Sequence, residues 1–135
     1  MVSSRKEVLS KILTPISEED DLDLCILYGS AALDRLSLTS DIDIAVGSEK
    51  SLTNDFCMEL SGKLSLLTDR EVSIINIEKM EGVILQEVLV KGITLKNLKP
   101  AYKTRFLSKM YEYTEDILPF QMMGINKKVA DFINE

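Results

Sequence analysis

Histidine is absent from this chain, which removes imidazole acid–base catalysis and His-ligated zinc together. Proton transfer is left to a carboxylate, Lys, Tyr, Cys or water. Cysteine is scarce: Cys25 and Cys57 are the two present, both among apolar neighbours. That setting reads as a pair of reduced core thiols in a cytoplasmic protein rather than as a disulfide framework. No window approaches the ~20 apolar residues of a membrane span, and Met1 to Thr14 lacks a signal-peptide apolar core, so a soluble protein is expected. Positive charge is short as well. The 16 Lys and Arg against 22 Asp and Glu leave a net charge of −6, which argues against a nucleic-acid-binding face. A Gly-rich Walker-type loop is also missing, which sets aside P-loop kinases and ATPases.

What is present is enough for a single core: 135 residues, 45% of them hydrophobic, without internal repeats or low-complexity linkers. Ser3 or Ser4 can cap a helix over Arg5 to Leu13, with Val8, Leu9, Ile12 and Leu13 on one stripe and Pro15 as its end. Asp23 to Tyr28 reads as a buried strand, Ala31 to Leu36 as a short helix, and Ile42 to Val46 as a second strand closed by Gly47. Leu52 to Leu67 carries Phe56, Leu60, Leu64 and Leu67 at helical spacing behind a Thr53 or Asn54 cap. Glu71 to Ile77 alternates as a strand should. Met80 to Lys91 reads as a helix, with Gly92 as a left-handed C′ residue and Ile93 to Leu95 as an edge strand. The link between the first two strands, with ten residues between Gly29-Ser30 and Asp41, is short for a parallel crossover, so they should pair antiparallel. The longer link through the next helix suits a right-handed parallel crossover. The expected fold class is α/β (α+β), a small mixed sheet of three or four strands flanked by helices.

The chemistry concentrates in Leu27-Tyr28-Gly29-Ser30, ten residues, then Asp41-Ile42-Asp43. Carboxylates at i and i+2 of a strand project from one face, roughly 6.6 Å apart along the backbone. That arrangement suits divalent cations. The Gly-Ser lies where a strand ends, so its N–H groups could face a phosphate. Together they read as a site for Mg²⁺ and a nucleoside triphosphate.

Gly29-Ser30-x10-Asp41-x-Asp43 resembles the signature of the DNA polymerase beta-like nucleotidyltransferases, specifically their minimal (MNT) members, over about residues 20 to 96. Ser40 before the first Asp, Glu71-Val72 leading a third strand, and the ending Gln86-Glu87-x4-Gly92-Ile93-x-Leu95 agree with it. The resemblance implies a polymerase beta-like fold, with nucleotide held by Gly29, Ser30 and Ser40. It makes Asp41 and Asp43 both catalytic and metal-binding, taking two Mg²⁺ ions (Mn²⁺ can substitute) with ATP as substrate. The reaction would be metal-assisted in-line displacement.

The chain departs from that pattern at several positions. Ser73 stands where the family usually has a third carboxylate, and Asn76 where an acid is frequent. Ala31 and Leu33 replace common arginines, Asp34 replaces a usual glycine, and Arg35 is the nearest remaining cation. Glu71 shares a strand face with Ser73 and is an auxiliary candidate alongside Ser73 and Arg35. Two readings follow: a working enzyme with two carboxylates and borrowed groups, or an MNT-fold protein that acts by binding alone.

Beyond a domain over residues 1–98 lies a helical extension, 99–135, with helices expected over Ala101 to Tyr113 and Leu118 to Asn134 around Pro119. Phe106-Leu107-x3-Tyr111-x-Tyr113-x2-Asp116-Ile117-Leu118-Pro119 resembles the tail of MNT antitoxins encoded with HEPN-domain ribonuclease toxins. That group transfers AMP from ATP to a tyrosine of the toxin and binds it, which implies a HEPN toxin as partner; for the chain alone a homodimer is one option. The apolar residues Phe106, Leu107, Met110, Ile117, Leu118, Phe120, Met122 and Met123 would either meet that partner or complete the core.

Overall fold

The computed structural model describes residues 4–37 and 40–116. The first helix, α1 (Arg5–Ser17), begins where the Ser4 hydroxyl accepts from the Glu7 N–H at 3.2 Å. Val8, Ile12 and Ile16 recur every fourth residue and are fully buried. The helix runs through Pro15 instead of stopping there. Proline removes one N–H from the ladder, but the same turn delivers Ile16 to the core, and Glu18 N closes it onto Thr14 O at 3.1 Å. Leu13 turns outward.

Four strands follow, β1 (Leu24–Tyr28), β2 (Ile42–Gly47), β3 (Val72–Asn76) and β4 (Ile93–Asn97), in the sheet order β3-β2-β1-β4. β1 pairs antiparallel with β2, Tyr28 opposite Asp43, and β2 pairs parallel with β3, Asp43 opposite Ser73. β4 lies antiparallel on the other side of β1, with an irregularity between Cys25 and Ile26. The antiparallel pairing expected from the short link and the parallel pairing expected from the longer one are both present.

Both faces of the central strands are covered, which is why β1 is an unbroken apolar run. Cys25, Leu27, Ile42, Ile44 and Val46 pack against α1 and α2 (Asn54–Thr68). Leu24, Ile26 and Ala45 pack against α3 (Gly82–Gln86), the π-helical turn Glu87–Lys91 and α4 (Pro100–Asp116), through Met80, Leu85, Val88, Tyr102, Phe106 and Met110. Thus Phe106 and Met110 belong to the core. Ile117, Leu118, Phe120, Met122, Met123 and the helix expected over Leu118 to Asn134 lie outside the described residues. Both cysteines are free thiols, Cys25 buried and Cys57 half-buried.

α2 starts on Thr53, whose hydroxyl accepts from Phe56 N at 3.0 Å, and buries Leu60 and Leu64 while Leu67 faces outward. It ends on Asp69 in the left-handed region, φ 54°. Two of its serines also serve the sheet. Ser61 donates to Val72 O, and Val72 N donates to Ser65 Oγ at 3.2 Å, on the outer edge of β3.

Gly92 is not a left-handed cap: its φ is −72°. A side chain there would meet Val88 O, Ile26 Cγ2 at 2.5 Å and Leu27 O at 3.1 Å. Glycine is therefore required by close approach of the π-helical turn to β1. At the far end of the sheet, Asp23 Oδ2 accepts from Glu49 N at 2.8 Å and Ser48 Oγ at 3.2 Å, with Lys99 Nζ at 3.6 Å. The Glu49 N–H, then the Ser48 hydroxyl and Lys99, hold this carboxyl below its ordinary range against the opposing effect of burial.

Two outcomes follow. Gly92→Ala should lower stability by about 1–3 kcal/mol in urea titrations, the usual cost of overpacking. Asp23→Asn should cost about 1–2 kcal/mol at pH 7. Because the folded carboxyl ionises more readily than the unfolded one, this stabilisation is present above about pH 4 and is lost as pH falls through the lowered folded value. The wild-type and variant melting curves should converge on acidification.

Candidate active site

At the end of β1 the chain turns through Gly29 at φ +72°, a conformation open to glycine without steric cost. The turn over residues 29–34 is not the short helix expected over Ala31 to Leu36. Leu33 N donates to Gly29 O (3.2 Å), Asp34 N to Ala31 O (3.3 Å) and Arg35 N to Ser30 O (2.8 Å), and Asp34 sits at φ 56°. The left-handed Asp34 breaks any helical run, and Asp is among the residues that tolerate this conformation. Arg5 Nη1 donates to Ala32 O at 3.1 Å and ties α1 to the same turn.

Across from this turn lies the start of β2. A Cβ at Gly29 would stand 2.7 Å from Asp43 Oδ2, so the glycine admits the carboxylate against the turn. Asp43 is half-buried, and Asp41, two residues earlier, is exposed. Burial, then the charges of Asp41 and Glu87, raise the Asp43 carboxyl above its ordinary value. Among the described residues neither Asp41 nor Asp43 is ion-paired. An oxygen-rich, uncompensated negative pair is the donor chemistry a hard divalent cation takes. No group of three potential metal ligands converges among the described residues.

The remaining candidates divide. Ser73 is paired directly with Asp43, so a hydroxyl occupies the neighbouring strand position. Ser30 is half-exposed on the glycine turn. The Ser40 hydroxyl accepts from Ser37 N at 3.0 Å and lies 2.9 Å from Ser37 Oγ, within its own loop. Arg35 is exposed at the end of the turn. Glu71 is exposed, contributing its carbonyl to Ile42 N at 2.9 Å; the acid that raises Asp43 together with Asp41 is Glu87, not Glu71. Glu87 comes from the π-helical turn, an element with no distinct sequence pattern and frequent at functional sites. Tyr28, opposite Asp43, has its phenol pushed up to about 12 by burial, then by Asp43 and Glu87, which excludes it as a base near neutral pH.

This arrangement has counterparts. A model of the polymerase beta nucleotidyltransferase family matches residues 10–100. The protein adenylyltransferase MntA of Shewanella oneidensis is 34% identical over 71 residues, 53% of this chain and 51% of that protein, so the chain spans about half the length of this curated relative. A chain of a toxin–antitoxin crystal structure with AMP-PNP superposes with a TM-score of 0.68 at 24% identity, over 92% of this chain and 97% of that one. A chain of the tri-AMPylated Shewanella oneidensis HEPN toxin in complex with MNT antitoxin gives 0.64 at 23% identity, over 96% and 98%. These likenesses show a shared fold. The family match spans both the glycine turn and the aspartate pair, and the chain belongs to the polymerase beta nucleotidyltransferase family.

Proposed function

We propose that the protein is a Mg²⁺-dependent adenylyltransferase that moves AMP from ATP to a tyrosine hydroxyl of a HEPN ribonuclease toxin, and so acts as its antitoxin. The observation that carries the reading is the Asp43 carboxylate lying against the Gly29 turn, with Asp41 near enough for its charge to raise that carboxyl. The adenylyltransferase relative and the AMP-PNP and AMPylated-toxin complexes of the same fold support the choice of ATP and of a protein acceptor.

In this reading the backbone at Gly29 and the hydroxyl of Ser30 hold the triphosphate, and Asp41 and Asp43 hold the metal. Bound Mg²⁺ would neutralise phosphate charge and lower the pKa of the attacking hydroxyl. A bond forms between the tyrosyl oxygen and the α-phosphorus while the α–β anhydride bond breaks and pyrophosphate leaves. The phenolic proton passes to water, since Ser73 stands where a carboxylate base would. Chain residues therefore contribute position and charge, not proton transfer.

Ser73 opposite Asp43 favours a second reading, in which the fold neutralises its toxin by contact alone. Mg·ATP binding separates the two. A ligand that binds only the native state at a hundred times its Kd adds about 2.7 kcal/mol of apparent stability, and the melting temperature should rise with Mg·ATP. Absence of a shift would favour contact alone.

Incubation of the chain with ATP, Mg²⁺ and folded HEPN toxin should add adenylyl groups to a toxin tyrosine, read by intact-mass and peptide mass spectrometry. Asp43→Asn should lower that transfer by at least about a hundredfold, roughly 3 kcal/mol of lost transition-state stabilisation. The same change should leave the metal-free protein at least as stable as wild type at pH 7. A carboxyl raised in the folded state costs stability once ionised, and that cost fades as pH falls below its folded value. Melting curves with and without EDTA check this.

A further inference from the structure

Asp41 lies just outside the sheet. The first β2–β3 pair is Ile42 with Val72, and the β1–β2 ladder runs out at Asp43 opposite Tyr28. Strand pairing therefore fixes Asp43 but not the residue two positions before it. Two bonds to residues 70 and 71 flank it, one of them the first rung of the β2–β3 ladder and the other from a side chain outside it. On one side of Asp41, Arg70 Nη1 donates to the carbonyl of Ser40 at 2.7 Å. On the other, Ile42 N donates to the carbonyl of Glu71 at 2.9 Å. Consecutive residues of one turn thus grip the backbone on both sides of the exposed carboxylate.

Arg70 is 6% exposed, although arginine is seldom buried without a specific partner. The left-handed Asp69 that ends α2 sets the direction in which the chain leaves the helix toward Arg70. The planar guanidinium is suited to this, since less rotamer freedom is lost per bond than with lysine. Its reach to Ser40 O is short and direct.

We propose that Arg70 is a positioning residue for the metal site: its guanidinium holds the Ser40 carbonyl and thereby fixes the Asp41 carboxylate beside Asp43. This rests on the reading of Asp41 and Asp43 as metal ligands. Groups that orient metal ligands from behind typically change metal affinity by about 10–100-fold when replaced, and a comparable loss is expected here.

The test is Mn²⁺ binding in the presence of AMP-PNP, followed by electron paramagnetic resonance, on wild type, Arg70→Gln, Arg70→Lys and Arg70→Met. Gln keeps a donor without charge, Lys keeps charge without the planar fork, and Met keeps neither. Met should weaken Mn²⁺ binding by about 10–100-fold, with Gln and Lys intermediate. Raising Mn²⁺ should restore AMP transfer in the folded variants but not in Asp41→Asn. If Met fails to fold, weaker Mn²⁺ binding by Gln and Lys than by wild type supports the proposal in its place. Folded variants that melt lower yet bind Mn²⁺ as wild type does would reduce Arg70 to a structural residue and overturn the proposal. A wild-type protein that binds no Mn²⁺ would overturn the metal-site reading, and this inference with it.

Discussion

A single close approach governs the site: the side-chain-free backbone of Gly29 against the carboxylate of Asp43. It exists because β1 and β2 pair antiparallel with Tyr28 opposite Asp43, so the last residue of one strand faces an early residue of the next. Any larger residue at position 29 would meet Asp43 Oδ2 first. The contact also keeps an acid half-buried beside other acids, a locally unfavourable arrangement that the fold tolerates because burial on both faces of β1 and β2 over-determines their register. Charge is stored at the turn, and stability comes from elsewhere.

The surrounding elements divide that labour. α1 and α2 seal one face and brace the approach to the site, α1 through Arg5 on Ala32 and α2 through the turn carrying Arg70 and Glu71. α3, the π-helical turn and α4 seal the other face and bring Glu87 toward Asp43. Ser73 sits between these halves. With a hydroxyl there, the acidity near Asp43 comes from Asp41 just ahead of β2 and from the π-helical turn rather than from β3.

Periodicity made much of this legible beforehand. The apolar runs of β1 and β2, the spacing of Leu60 and Leu64, and the short first link together led to the correct strand pairing, and Gly-Ser with Asp-x-Asp led to the correct family. Where the sequence misled, the deciding contact was distant or unpatterned. Ala31, Ala32 and Leu33 have helical character, yet Gly29 and Asp34 at positive φ divide the segment into turns. Pro15 looks like a terminator until Ile16 is seen buried. Gly92 looks like a helix cap because its real neighbour, Ile26, is far away in the chain. Arg70 gave no local signal, since a buried guanidinium has no repeat to recognise, and Glu87 was legible as part of the closing Gln86-Glu87 motif but not as a neighbour of Asp43.

The serine hydroxyls on the outer edge of β3 have a consequence for how copies of this molecule meet. Ser61 and Ser65 already occupy the outward carbonyl and amide of Val72, so an incoming strand would have to break both bonds before it could extend the sheet. Crowded molecules are thereby discouraged from zipping together on that flank. The short edge is shielded from runaway polymerisation by two small side chains rather than by an added strand.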